Sequence, residues 1–170
     1  MNKRNILKWI IFGVAIATNL FILANSCVYG DASTAESSAI TGTAANLING
    51  IVPNTINNSN AESFIVLIRK VFGHFGLFAF SGAFSTWAFY LFCSNSKLRF
   101  FAFFGSISLL FGFTVAWISE FIQLFIPGRS GSVMDVGINF LGYFIGVLLV
   151  IFIIFLAKKP IFQKDLKQEK

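Results

Sequence analysis

Between residues 118 and 146 the sequence ISEFIQLFIPGRSGSVMDVGINFLGYFIG sets five chemically demanding side chains into a stretch otherwise built of apolar and small residues. They are Glu120, Gln123, Arg129, Asp135 and Asn139. Glu120 and Gln123 are three apart and share one helix face, while Asp135 and Asn139 are four apart and share another. Pro127 and Gly128 break the chain between the pairs, so the stretch reads as two helices joined by a tight turn that carries Arg129. Both helices are apolar on their remaining sides. Charged groups in such surroundings are costly unless paired, which makes each a candidate functional residue.

Composition decides which solvent these helices meet. Of 170 residues 56% are hydrophobic, 12% are charged and 23 are Phe, a balance that excludes a water-soluble domain of this size. The expected class is therefore an all-α integral membrane protein. Its transmembrane helices fall at about residues 6–24, 63–92, 100–125 and 133–156, with a segment at 25–62 and a basic tail at 158–170. Residues 1–157 form a single transmembrane domain. The first apolar run follows Lys3, Arg4 and Lys8 as a signal peptide's would. No small-residue cleavage site follows Ala24, so a retained helix is expected. Cys27 lacks the aliphatic residue three positions earlier that a lipidated cysteine needs. Cys27 and Cys93 make no disulfide framework, no Cys/His metal spacing exists, and neither metal nor cofactor is expected.

Charge gives the orientation. Residues 25–62 contain Asp31, Glu36 and Glu62 but no Lys or Arg, the composition of a segment that crosses the membrane. Within it Ile40, Leu47, Ile48, Ile51 and Val52 recur at helical intervals over 39–52, which suits a short amphipathic helix in the outer interface as well as a loosely packed loop. Ten of the thirteen basic residues lie in the N-terminus, the 93–99 connection and the tail, so both termini are expected in the cytoplasm. The net charge of +6 then reflects attraction to anionic lipid, and nucleic acid is not an expected partner.

The other three basic residues, Arg69, Lys70 and Arg129, belong to the polar constellation. In IVLIRKVFGHFGLFAFSGAFSTWAFYLF, the second span, Lys70 and His74 share a face that continues through Ser81, Ser85 and Ala88. Arg69 is offset by about 100° and can reach lipid phosphate. Gly105, Gly112, Ala116, Glu120 and Gln123 form a small and polar stripe on the third span, and Asp135, Asn139, Gly142 and Gly146 form another on the fourth. Gly142 and Gly146 have GxxxG spacing, suited to close helix packing and to self-association of copies. With the expected orientation, all eight polar residues gather near the outer surface. Trp9 and Trp87 suit the inner interface, and Trp117 lies close enough to the outer end to line the site.

RKVFGHFGLFAFSG followed by SEFIQLFIPGRSGSVMDVGINFLGYFIG resembles the VanZ family of small bacterial membrane proteins. The matching pattern is an Arg-Lys and His segment, Glu-x-x-Gln, a Pro-Gly-Arg turn, Asp, and Asn-x-x-Gly, over about residues 65–150. ANSCVYGDASTAESSAIT also resembles the segment after the family's first helix. Leu77 and Phe78 stand where many members carry Glu-Tyr, which removes a second acidic group from helix two. The family takes its name from a protein giving low-level resistance to teicoplanin, a lipoglycopeptide acting on cell-wall precursors. The resemblance implies work at the envelope of a Gram-positive bacterium and supplies no reaction.

Three readings of the constellation follow. In the first, Arg69, Lys70 and Arg129 bind phosphate or carboxylate of an amphiphile, a lipid-linked wall precursor or the lipoglycopeptide, and Glu120 and Asp135 hold the cations in place. Here the partners are membrane lipids and that amphiphile. In the second, Glu120 and His74 are the catalytic acid–base pair of an enzyme modifying a lipid-linked substrate, with the arginines facing developing negative charge. In the third, the charges form a network that fixes helix register, with Gln123 and Asn139 bonding across helices. Ser130 and Ser132 read as turn or cap residues. A transporter is disfavoured, because four spans without an internal repeat enclose no pathway.

Overall fold

A computed structural model describes residues 3–57, 59–92 and 99–168. The expected inner loop holding Cys93 and Lys97 lies outside them, as do the side chains of the basic tail. The helices are α1 (Lys3–Ser26), α2 (Gly30–Ile51), α3 (Ala61–Ile68), α4 (Leu77–Phe92), α5 (Arg99–Gln123) and α6 (Val133–Gln168). A π-helical segment, Arg69–Gly76, joins α3 to α4 without a break, so the second span is one long rod. The stretches long and apolar enough to cross a membrane are Asn5–Ser26, Ala61–Phe92, Phe103–Gln123 and Val133–Ala157.

Differences from expectation sit at the ends. The fourth helix continues beyond 156 into the tail. α5 stops at Gln123 and not at 125, because the N–H groups of Leu124, Phe125 and Ile126 turn to the carbonyls of Phe121, Ile122 and Gln123 and tighten the last turn. The amphipathic helix expected over 39–52 begins much earlier, at Gly30.

Small residues decide how the apolar rods meet. In lipid, a Phe or Leu gains nothing by facing a neighbouring helix, so contact forms where backbones can approach. α6 makes its most extensive contact with α4. A methyl group on Gly142 would overlap the Phe75 carbonyl, one on Gly146 the Ala79 carbonyl, and one on Gly82 the Tyr143 carbonyl. Tyr143 is fully buried and covers Gly112 of α5 with its ring. Gly142→Ala is therefore expected to cost about 1–3 kcal/mol as the helices separate. Gly137→Ala, with open space around position 137, should be neutral or stabilising by up to about 1 kcal/mol. Denaturant titration in mixed micelles checks the pair; equal midpoints would refute the close-packing account.

Polar side chains pin the same interfaces deeper in the bundle. Asn19 of α1 donates to Ser85 Oγ at 3.1 Å and accepts from Ser81 Oγ at 3.0 Å. Thr86 and Ser108 share a hydrogen bond of 2.7 Å, and Ser108 meets the Tyr143 hydroxyl at 3.2 Å. Buried groups of this kind have no water to turn to, so each pairing selects one rotation of its helix. Leu110, Phe103 and Phe152 stay exposed on the outside, the surface that acyl chains cover in a bilayer.

α2 is tied down at both ends. The Gly30 N–H donates to the Pro127 carbonyl at 3.1 Å, an approach that a side chain at 30 would block against Gly128. At its other end the Asn49 amide clasps the Ile56 backbone through two bonds of 2.8 Å and returns the chain towards α3. Ile40, Leu47 and Ile51 remain largely exposed along one side.

Candidate functional site

The site begins with a turn. The Arg129 N–H bonds to the Ile126 carbonyl at 3.1 Å, Pro127 occupies the second position, and Gly128 takes φ 74° in the third. This is the sequence chemistry of a type II turn, in which the third position needs positive φ and hence glycine. It aims Arg129 back over the bundle. Arg129 Nε donates to Gln123 Oε1 at 3.3 Å and a terminal nitrogen to Ser33 Oγ at 2.6 Å, so one guanidinium links α5, the turn and α2.

Glu120 lies beneath it, 3% exposed. Its Oε1 accepts from Asn139 Nδ2 at 2.9 Å and, more weakly, from Gln123 Nε2 at 3.4 Å. Oε2 accepts the Ser132 backbone N–H at 3.3 Å. Gly131 makes that last contact feasible, since a methyl group there would overlap the Glu120 carbonyl. Ser132 also caps α6 by accepting the Met134 N–H on its hydroxyl at 3.1 Å, the cap role expected of it.

The second span approaches α6 in register. Lys70 Nζ stands 3.2 Å from Asp135 Oδ1, and four residues further along both helices His74 Nδ1 stands 3.0 Å from Asn139 Oδ1. The Lys70–Asp135 pair is a charge contact only, since Asp135 Oδ1 meets no donor in hydrogen-bonding geometry. Partly exposed, it adds little stability. His74 Nδ1 is also 3.6 Å from Glu120 Oε1. Arg69, Lys70 and His74 all lie in the π segment, a rare form of helix that recurs at functional sites.

A cleft of about 310 Å³ opens here. Arg69, His74, Glu120, Gln123, Arg129 and Asn139 line its polar end, and Phe21, Ile22, Ile40, Phe72, Leu77 and Phe78 its apolar walls. Of the eight residues expected at the site, Lys70 and Asp135 are the two outside the lining. Trp117 also lies outside it and stacks instead on Phe121, with ring centres 5.1 Å apart. Burial, and after it the positive charge of Arg69, pushes the Arg129 pKa below its ordinary value, with Glu120 opposing. Arginine starts so high that the group stays cationic. Among the described residues no carboxylate lies within ion-pair distance of either arginine, and no metal-binding group of three His, Cys, Asp or Glu side chains converges.

Ser33, Asn25 and Ser26 are lining residues that sequence reasoning did not assign. Ser33 sits 96 positions from Arg129, and the signals for it were Gly30, three residues ahead, and its place in the ANSCVYGDASTAESSAIT stretch that resembles a family segment.

Four long apolar helices closing around a polar cleft at one end make this a multi-pass helical membrane protein. The VanZ/LLP1 family pattern matches residues 8–156, and the chain belongs to that family. Comparisons with curated proteins and with solved structures found no match.

Proposed function

We propose that this VanZ/LLP1 protein recognises the anionic head of an amphiphile at the outer face of a Gram-positive cytoplasmic membrane. Through that recognition it contributes to resistance against lipoglycopeptides such as teicoplanin. One observation carries the reading: two guanidinium groups share a cleft whose walls are apolar, and among the described residues neither stands within ion-pair distance of a carboxylate. Glu120 is committed to Asn139, Gln123 and the Ser132 N–H, and Asp135 to Lys70. A phosphate or carboxylate between the arginines would supply the missing charge, with a planar fork matched to its oxygens. The acyl part would lie against Phe21, Phe72 and Phe78. The basic N-terminus, 93–99 connection and tail support placing the opposite end, with the cleft, outside.

The test is teicoplanin and vancomycin susceptibility of a null host expressing wild type, Glu120→Gln, Arg129→Lys or Asp135→Asn at equal membrane abundance. Wild type should protect selectively against the acylated drug. Arg129→Lys and Glu120→Gln should lose part of that protection, and Asp135→Asn, outside the cleft, should keep most of it. Protection unchanged in all three variants would refute the site, and no protection by wild type would refute the resistance role.

A further inference from the structure

With Glu120 ionised, the hydrogen bonds around His74 have one consistent polarity. The Glu120 carboxylate meets donors on both oxygens, so the Asn139 amide must turn its NH₂ towards it, as the 2.9 Å contact from Nδ2 shows. That leaves Asn139 Oδ1, an acceptor, facing His74 Nδ1 at 3.0 Å. The second group near Nδ1 is Glu120 Oε1, another acceptor, at 3.6 Å. A neutral imidazole in this position carries its proton on Nδ1, and its lone pair belongs to Nε2. Nε2 has no hydrogen-bond partner among the described residues, while the His74 side chain lines the cleft beside Arg69 and Arg129. A histidine with one nitrogen held by an anchored acceptor and the other presented to a pocket has the arrangement of an oriented base.

The geometry points to His74 as a general base that acts on a phosphate ester of the anionic amphiphile, with Asn139 and Glu120 as positioning residues. This rests on the amphiphile-recognition reading for its substrate class. It reverses the simpler expectation in which Glu120 itself exchanges the proton, because the Glu120 oxygens are already occupied. In the step, a water or hydroxyl in the cleft loses its proton to Nε2 as its oxygen forms a bond to phosphorus. The bond from phosphorus to the leaving oxygen then breaks, and that oxygen takes the proton back from Nε2. The added charge on the phosphoryl oxygens faces the two guanidinium groups. Nothing is oxidised or reduced.

His74 is the chain's one histidine, which allows a direct measurement on the unmodified protein. In nanodiscs of zwitterionic lipid, ¹⁵N-histidine labelling should give one protonated ring nitrogen, assigned to Nδ1, and one unprotonated nitrogen, assigned to Nε2. A proton on Nε2, or on both nitrogens, at neutral pH would overturn the base assignment. With both acceptors near Nδ1 removed, as Asn139→Leu with Glu120→Leu, the preference for Nδ1–H should be lost; its retention would overturn the positioning role. Decyl p-nitrophenyl phosphate is the substrate probe: wild type should release p-nitrophenolate, and His74→Gln should lose about 10²-fold or more of that rate. Release unaffected by His74→Gln, or absent from wild type, would overturn the transfer step. Binding of decyl phosphate, followed separately, distinguishes the two ideas. Binding without turnover leaves recognition standing alone, and the Nδ1–H tautomer without binding leaves an oriented histidine and no recognition site.

Discussion

Replacing Glu120 by Ala is expected to loosen the whole cleft end of the bundle, at a cost of about 3 kcal/mol. One truncation would strand three donors at once: the Asn139 amide, the Gln123 amide and the Ser132 N–H. Single interhelical hydrogen bonds in membranes average only about 0.6 kcal/mol, because an unfolded segment in lipid finds other partners. The Glu120 cluster should exceed that figure, since its acceptor is shared by α5, α6 and the turn and sits 3% exposed. Glu120→Gln keeps the shape but presents an NH₂ to at least one donor, so about half the loss is expected. Denaturant titration in mixed micelles, with hydrogen exchange of the Ser132 amide, checks both variants. An Ala variant as stable as wild type would mean that the carboxylate is dispensable to the fold.

Removing both guanidinium groups, as Arg69→Gln with Arg129→Gln, should weaken binding of an anionic amphiphile by on the order of 10²-fold or more, taking each charge-assisted bond at about 1.5–3 kcal/mol. Arg129→Gln alone also releases the contacts to Gln123 and Ser33, so it should raise exchange at the start of α2. Arg69→Gln, whose side chain lies at the cleft without an ion-pair partner among the described residues, should lower affinity and leave that exchange unchanged. Lys70→Gln is the control, because Lys70 is paired with Asp135 away from the lining. Titration of decyl phosphate into protein in zwitterionic nanodiscs reads all four. Equal affinity of the double variant and wild type would remove the arginines from the site.

The division between these two arginines and Lys70 was not legible in the chain. Arg69 and Lys70 are adjacent, and an ordinary helical count placed Lys70 with His74 and turned Arg69 towards lipid. The first half held: Lys70 and His74 both face α6. But the segment winds as a π-helix, and Arg69 lines the cleft while Lys70 is taken up by Asp135. A local pattern reports which residues share a face and not how wide the turn is, or which neighbour that face will meet.

By itself the sequence determined the membrane class, the four spans, the turn at Pro127–Gly128, and the polar faces of Glu120 with Gln123 and of Asp135 with Asn139. Each follows from local chemistry: apolar length, a positive φ that glycine alone takes easily, and helical spacing. Only the tertiary structure decided that Asn139 turns its amide between Glu120 and His74, that Ser33 of α2 meets Arg129, and that Asn19 of α1 bonds Ser81 and Ser85. In lipid the hydrophobic pattern no longer separates inside from outside, since acyl chains are as apolar as a protein core. Helix rotation is settled instead where backbones can touch and where buried polar groups find partners, and both depend on residues far apart in the chain.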